Sequence, residues 1–408
     1  MTGTERAGGR KVFLHVGSPK TGTTFLQNVL WAGRDTARRQ GLLLPMDRFA
    51  DHYLATLDVR GLAERPEHPD RALGMWQRIV EQVEAWPGDA LVSHELFAAA
   101  TRQQADAAVH SFGPDTEVHV VLTARDLLRQ LPAEWQEHVK HRSTLTLDAF
   151  AGQVMADDRG RSWFWRVQDY SRILRRWGRS LPPEHLHVVT VPPRGADPTA
   201  LWTRFAALLG LDPDTFRLDV GRSNLSLGME QAELLRRVNE ELDDRLALPG
   251  PYPRVVKEMF AQQVLAGRKG SPLQLDERTT AFAVARSRRL ADDLATMGVD
   301  VVGDLEELVP RVETPTSPGA AGFLHPSEEV LLTESVAALA GVLARFADSS
   351  PAERDYRRQV ELMRRMPVRY ALAQASHRHP ALGRLRRAYQ RGRARLNGGW
   401  GSSASGRG

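Results

Sequence analysis

The stretch KVFLHVGSPKTGTTF, Lys11 to Phe25, constrains the fold more than any other part of this 408-residue chain. Val12, Phe13, Leu14 and Val16 form an apolar run rich in β-formers. Gly17 ends it, a Pro/Gly/Ser/Thr turn follows, and Phe25, Leu26, Val29 and Leu30 recur at helical spacing. Strand, small-residue loop and helix in that order put the free N–H groups of a helix N-terminus where an anion can sit. The nucleotide-triphosphate loop reads GxxxxGK followed by Ser or Thr. Gly17 and Gly22 keep that spacing, but Thr23 holds the lysine position and the lysine lies inside the loop, at Lys20. A displaced lysine points to a different anion.

Lys20 is informative because lysine is rare here. Of 55 basic residues only five are lysines, at positions 11, 20, 140, 257 and 269. A chain that uses arginine so heavily yet keeps a lysine in an anion loop needs a compact point charge there, which arginine's planar fork does not supply.

PKTGTTF resembles the 5′-phosphosulfate loop of the sulfotransferases that use 3′-phosphoadenosine 5′-phosphosulfate (PAPS) as donor. In that family the loop reads PKxGTT followed by an aromatic residue. The resemblance implies a P-loop-like α/β fold and a donor loop of Ser18, Pro19, Lys20, Thr21, Gly22, Thr23, Thr24 and Phe25. It implies that Gly22, Thr23 and Thr24 hold the 5′-phosphosulfate, that Lys20 assists transfer, and that Phe25 lies against the adenine.

A second segment, Glu117 to Lys140, bears on the same reading. Val118, Val120, Val121 and Leu122 form a buried strand, and Leu127, Leu131, Trp135 and Val139 continue at helical spacing. Arg125 falls where that strand ends, and open α/β sheets bind ligands beyond the carboxyl ends of their strands. An arginine there can grip a phosphate dianion with paired, charge-assisted hydrogen bonds. The family's 3′-phosphate segment also has an arginine at a strand end, followed eight residues later by a serine. Here that position is Ala133, and Arg129, one helical turn from Arg125, is the expected substitute. The family's late RKG motif is absent; GRSNLSLG, Gly221 to Gly228, offers Arg222 and Asn224 in a similar region.

Sulfuryl transfer needs a base for the acceptor's proton. LVSHELF, Leu91 to Phe97, closes a strand with His94 and Glu95, whose side chains face opposite ways if the strand continues through them. The resemblance favours His94 through one branch of the family and Glu95 through others. His52, after the first helix, is a third candidate.

The strands expected at 11–17, near 90–94, at 117–124 and at 185–191 alternate with helices at 22–39 and through 126–178, which describes a parallel sheet flanked by helices. In SWFWRVQDYSRILRRW, Trp163, Val167, Tyr170, Leu174 and Trp177 share a helical face and read as core, whereas Phe164 and Trp165 lie off it and suit an acceptor pocket. Helix is expected from 229 to about 295, interrupted at 248–253, and again at 326–347 and 352–375. The expected organisation is a short N-terminal segment (1–10), an α/β domain (11–312), a Pro/Gly/Ser/Thr linker (313–325) and a helical extension ending in a basic tail (326–408).

Composition excludes some chemistry. The chain has no cysteine, so thiolate metal sites, disulfides and a cysteine nucleophile are ruled out. No HExxH or EF-hand spacing occurs, and no metal is expected. The net charge of +5 comes from the tail: residues 351–408 carry fourteen arginines against three acids, so the remainder is net acidic. A nucleic-acid-binding core would show its own basic face, and no nucleic-acid partner is expected. Leu382, Leu385, Tyr389 and Leu396 make a short apolar stripe among the tail's arginines, suited to weak contact with an anionic membrane surface. No signal core is apparent, no stretch is expected to reach the ~18 apolar residues of a spanning helix, and a cytoplasmic location is expected.

The sequence therefore reads as a PAPS-dependent sulfotransferase acting on a hydroxyl or amine of a small-molecule, lipid or carbohydrate acceptor. The alternatives are a P-loop small-molecule kinase with Thr24 on Mg²⁺, and a non-catalytic adaptor whose basic tail binds membrane or nucleic acid.

Overall fold

A computed structural model describes residues 9–157, 159–220, 226–246, 248, 250–311 and 325–349. The chain divides into two compact units, Met1–Ser335 and Val336–Gly408. The first is built on six strands: β1 (Arg10–His15), β2 (Leu42–Leu43), β3 (Asp89–Ser93), β4 (Thr116–Ala124), β5 (Leu186–Thr190) and β6 (Asp300–Val302). They lie in the order β2-β3-β1-β4-β5-β6, and every pairing is parallel. Helices cover both faces, so the central strands are apolar throughout: Val12, Leu91, Val120 and Leu122 are fully buried. This is the α/β sheet that the strand and helix pattern implied.

The order places β1 between β3 and β4, with connections leaving in opposite directions on its two sides. Crevices form at such switch points, beyond the carboxyl ends of the strands. Register fixes which residues meet there: His15 lies opposite Ser93 on one side and Val121 on the other. His15 Nδ1 is 2.8 Å from Ser93 Oγ and its Nε2 is 3.3 Å from Thr123 Oγ1. Thr123 in turn meets Thr21 Oγ1 at 2.5 Å. A buried polar chain thus ties three strand ends to the loop after β1.

Several local expectations are corrected. The helix expected at 22–39 is two, Thr23–Ala32 and Arg34–Arg39, broken at Gly33. A Cβ on Gly33 would lie 2.4 Å from the Phe216 ring, so the helix parts where that ring comes closest. The aromatic segment is also two helices, Trp163–Gln168 and Tyr170–Trp177, with Asp169 capping the second. Val167, Tyr170, Leu174 and Trp177 are core as the helical face implied, and the difference is confined to the first turn. Phe164 and Trp165 are core at 2% and 3% exposed, while Trp163 is 37% exposed. The strand β6, three residues long, has too little pattern to be read from sequence.

The helix at Glu328–Ser349 matches the one expected at 326–347. Against expectation, its stretch Glu328–Asp348 is long and apolar enough to cross a membrane by length and composition, with mean hydropathy 1.6 and 17% of the window buried. The tail residues Leu382, Leu385, Tyr389 and Leu396 and the helix expected at 352–375 lie outside the described residues.

Candidate active site

The loop after β1 closes on itself through two glycines. Gly17 has φ +75°, and a Cβ there would stand 2.4 Å from the Glu95 Cα, so the backbone after β3 packs directly on it. Gly22, at φ +87°, precedes the first helix, and a Cβ there would meet Leu201 at 2.6 Å. Between them Lys20 is held at φ +64°. A left-handed non-glycine residue costs on the order of 1–2 kcal/mol and persists only where its surroundings fix it. Here they do. The Pro19 carbonyl accepts from Gln130 Nε2 at 2.9 Å and from Gln168 Nε2 at 3.1 Å, and the Ser18 hydroxyl bonds the Val167 carbonyl and Gln168.

This loop forms one wall of a cavity of about 980 Å³. Pro19, Lys20, Gly22, Thr23 and Thr24 line it, with Arg125 from the end of β4 and His94 and Glu95 from the end of β3. Strands far apart in sequence thus deliver the predicted residues to one space. The other predicted residues are placed elsewhere. Ser18 and Thr21 are fully buried, and their hydroxyls bond the protein body. Phe25 is partly buried and packs on the core cluster on its side of the sheet. Arg129, the expected substitute for the serine at position 133, is committed to Asp126 and to the carbonyls of Val191 and Pro192. Ala133 does line the cavity. His52 faces a separate pocket of about 210 Å³ behind His94. Arg222 and Asn224 lie outside the described residues.

The most concentrated charge was not read from the sequence. The helix Leu127–Lys140 presents Ala133, Glu134 and Glu137 to the cavity. Glu137 Oε2 accepts from Lys20 Nζ at 2.6 Å, and Oε1 from Lys257 Nζ at 2.8 Å. Burial pushes the Glu137 carboxyl up, but a hydrogen bond from His141 and the charges of Lys20 and Lys257 outweigh it and hold it far below the usual range. Lys140, lowered to about 8 by burial and by Lys20, stands close by. Three of the chain's five lysines therefore gather around one carboxylate. Glu134, nearly fully buried, is pushed up to about 7, with burial the dominant cause. The available signal was a polar stripe, Gln130, Glu134, Glu137 and His141, at helical spacing opposite the apolar one.

Arg125 donates through Nε to Gln130 at 2.7 Å and through Nη2 to the Arg129 carbonyl at 3.1 Å. Among the described residues no acid pairs with it. Burial first, then Arg129, lowers it to about 10, so it stays charged at neutral pH.

The candidate bases differ in what their lone pairs do. His94 Nδ1 accepts the Leu96 N–H at 3.2 Å, so the neutral ring carries its proton on Nε2. His52 Nδ1 accepts the Ser93 N–H at 3.2 Å. Burial raises the Glu95 carboxyl, but His94 beside it and hydrogen bonds from its own N–H, Gln27 and Thr23 prevail and lower it. Glu95 is ionised at neutral pH and borders the cavity.

Arg60 also lines the cavity and lies over the Trp163 ring, 5.6 Å from its centroid. Tyr53 and Leu96 line the cavity as well.

The fold and this cavity define an α/β protein with a glycine-bounded, lysine-bearing loop at the switch point of a parallel sheet. A crystal structure of a sulfotransferase from Alicyclobacillus acidocaldarius is similar to it over 52% of this chain and 87% of that one, at 16% identity and a TM-score of 0.37. No family model matches the chain, and no curated protein matches it.

Proposed function

We propose that the protein transfers a sulfuryl group from PAPS to a hydroxyl or amine of a small-molecule, lipid or carbohydrate acceptor. The observation that carries this reading is Lys20, a strained lysine inside the loop whose ammonium reaches the cavity wall shared with Glu137 and Lys257. Around it, Gly22 and Thr23 begin a helix whose free N–H groups suit an anion, and Arg125, without an acidic partner among the described residues, suits a second anionic group. The donor supplies an activated sulfuryl group with a phosphate as leaving group. Lys20 and the loop N–H groups are placed to offset charge that develops on that leaving group. Glu95 is the base this reading favours: it takes the acceptor's proton as the new bond to sulfur forms, since the His94 lone pair is engaged by Leu96. Arg60, with Trp163 and Tyr53, marks the acceptor end and suits an acceptor carrying an anionic group.

Titration of the purified protein with 3′-phosphoadenosine 5′-phosphate (PAP), AMP, ADP and ATP·Mg²⁺ tests this. The expected result is a preference for PAP over AMP of at least about tenfold, the worth of a charge-assisted contact. A preference for ATP·Mg²⁺ would instead identify a kinase, and binding of none an adaptor.

A further inference from the structure

Near the amino-terminal half of β4 and β5, on the other side of the sheet's length from the cavity, three histidines and two acids come together. Hydrogen bonding fixes their protonation. His187 Nδ1 lies 2.7 Å from Asp300 Oδ2, and a carboxylate only accepts, so the His187 proton is on Nδ1. The neutral ring then offers Nε2 as an acceptor, and His119 Nδ1 lies 2.9 Å from it. His119 therefore donates from Nδ1 and keeps a lone pair on Nε2. That atom is buried without a hydrogen-bond partner, in a residue only 6% exposed. It looks toward Glu117 Oε2 at 3.6 Å, a lone pair against an anion. His185 behaves alike: Nδ1 stands 3.2 Å from the Val118 carbonyl, which only accepts, so the second lone pair is on Nε2.

We propose that Glu117, His119 and His185 form a binding site for a first-row divalent cation, with Zn²⁺ the best match. Ligand atoms of the three residues lie within 4.8 Å of one another. Two imidazoles and a carboxylate are a zinc donor set, and three protein ligands leave a fourth position for water. Each imidazole already has the outer partner that metal-bound histidines use: His119 is backed by His187 and Asp300, and His185 by a carbonyl. Ligands around tetrahedral zinc stand roughly 3.4 Å apart, so the site closes on the ion by small rotations. His185, now stacked on His119 at 4.2 Å between centroids, and Glu117 are both half-exposed and free to make them. A bound ion would clamp β4 to the turn that enters β5. It would act on stability and not on chemistry in the cavity. No sequence motif marks the site because its ligands come from β4 and from the turn before β5, some 66 to 68 residues apart.

The test uses the full chain, stripped of metal with a chelator and titrated calorimetrically with zinc sulfate. Removing His119 itself risks unfolding, so the variants are Glu117→Gln and His185→Ala, with the exposed His110→Ala as control. Expected are one equivalent of Zn²⁺ bound, a rise in Tm on binding, a visible Co²⁺ spectrum in its place and no response to Mg²⁺. Both variants should weaken binding at least about tenfold, as loss of a ligand does, and the control should not. Absence of Zn²⁺ binding at about 100 μM, or equal binding in wild type and both variants, overturns the proposal. PAP binding is unaffected in either case, so the outcome is independent of the donor assignment.

Discussion

Lowering the pH from 7 to 5 should destabilise the protein before any carboxylate of an ordinary kind is protonated. Two histidines are buried as neutral rings: His15, at 0% exposed, and His52, at 2%, are each lowered to about 3, in both cases chiefly by burial. Such a group takes up its proton on unfolding, so its stabilisation is complete above the unfolded value of 6.5 and is lost as the pH falls toward 3. Between pH 7 and 5 each ring loses about 2 kcal/mol, at 1.36 kcal/mol per unit. Glu134 works in the opposite sense. Raised to about 7, it binds its proton more readily in the folded state and returns about 2 kcal/mol over the same interval. His119, also lowered to about 3, adds to the loss. The net is a loss of at least about 2 kcal/mol, a sizeable share of the 5–15 kcal/mol typical of a folded domain. Urea unfolding at pH 7, 6 and 5, in chelator, should show the midpoint falling at constant slope. His52→Gln keeps an acceptor for the Ser93 N–H but cannot titrate, and should remove about 2 kcal/mol of the dependence. A midpoint that stays level or rises between pH 7 and 5 would refute the assignment of these histidines as buried and neutral.

Four further outcomes are expected. Lys20→Ala should lower turnover on the order of a hundred- to a thousand-fold while PAP affinity, also held by loop N–H groups and Arg125, falls far less; single-turnover and binding assays separate the two. Lys20→Arg should not recover the rate, and a full recovery would show that charge alone suffices. Arg125→Ala should weaken PAP by about ten- to a hundred-fold and leave AMP nearly unchanged, whereas equal losses would remove the 3′-phosphate role. Gly17→Ala should cost about 3 kcal/mol or more in chemical unfolding, because a methyl group 2.4 Å from the Glu95 backbone meets main chain and not a flexible tip; a loss below about 1 kcal/mol would mean that the loop gives way easily.

β1, β3, β4 and β5 were legible because a sheet covered on both faces writes unbroken apolar runs, whereas the two- and three-residue edge strands β2 and β6 were not; the loop was legible because Gly17, Lys20 and Gly22 each answer a local backbone or charge demand. What escaped depended on tertiary placement. Glu137 looks in sequence like any solvated helical acid; only the approach of Lys20 and Lys257, 117 and 120 residues away, makes it a centre of charge. Trp163 is exposed as the first residue of its helix, just after the Ser162 cap, while Phe164 and Trp165 turn inward; a pattern of helical faces does not show where a helix begins. Loop residues also divided in a way that spacing does not encode: Ser18 and Thr21 turn inward to support the backbone, while Thr23 and Thr24 face the cavity.

The ion pairs of Glu137 have a further consequence. Because one internal carboxylate holds both Lys20 and Lys257, an anion that enters this wall of the cavity does not meet free cations; it competes with a tethered rival that is always at hand. Under the proposed function, capture and release would be an exchange of partners, in which the carboxylate replaces the departing anion and the two ammonium groups do not face each other bare. Such an arrangement would trade depth of binding for speed of turnover, and it would keep two like charges in position between one occupant and the next.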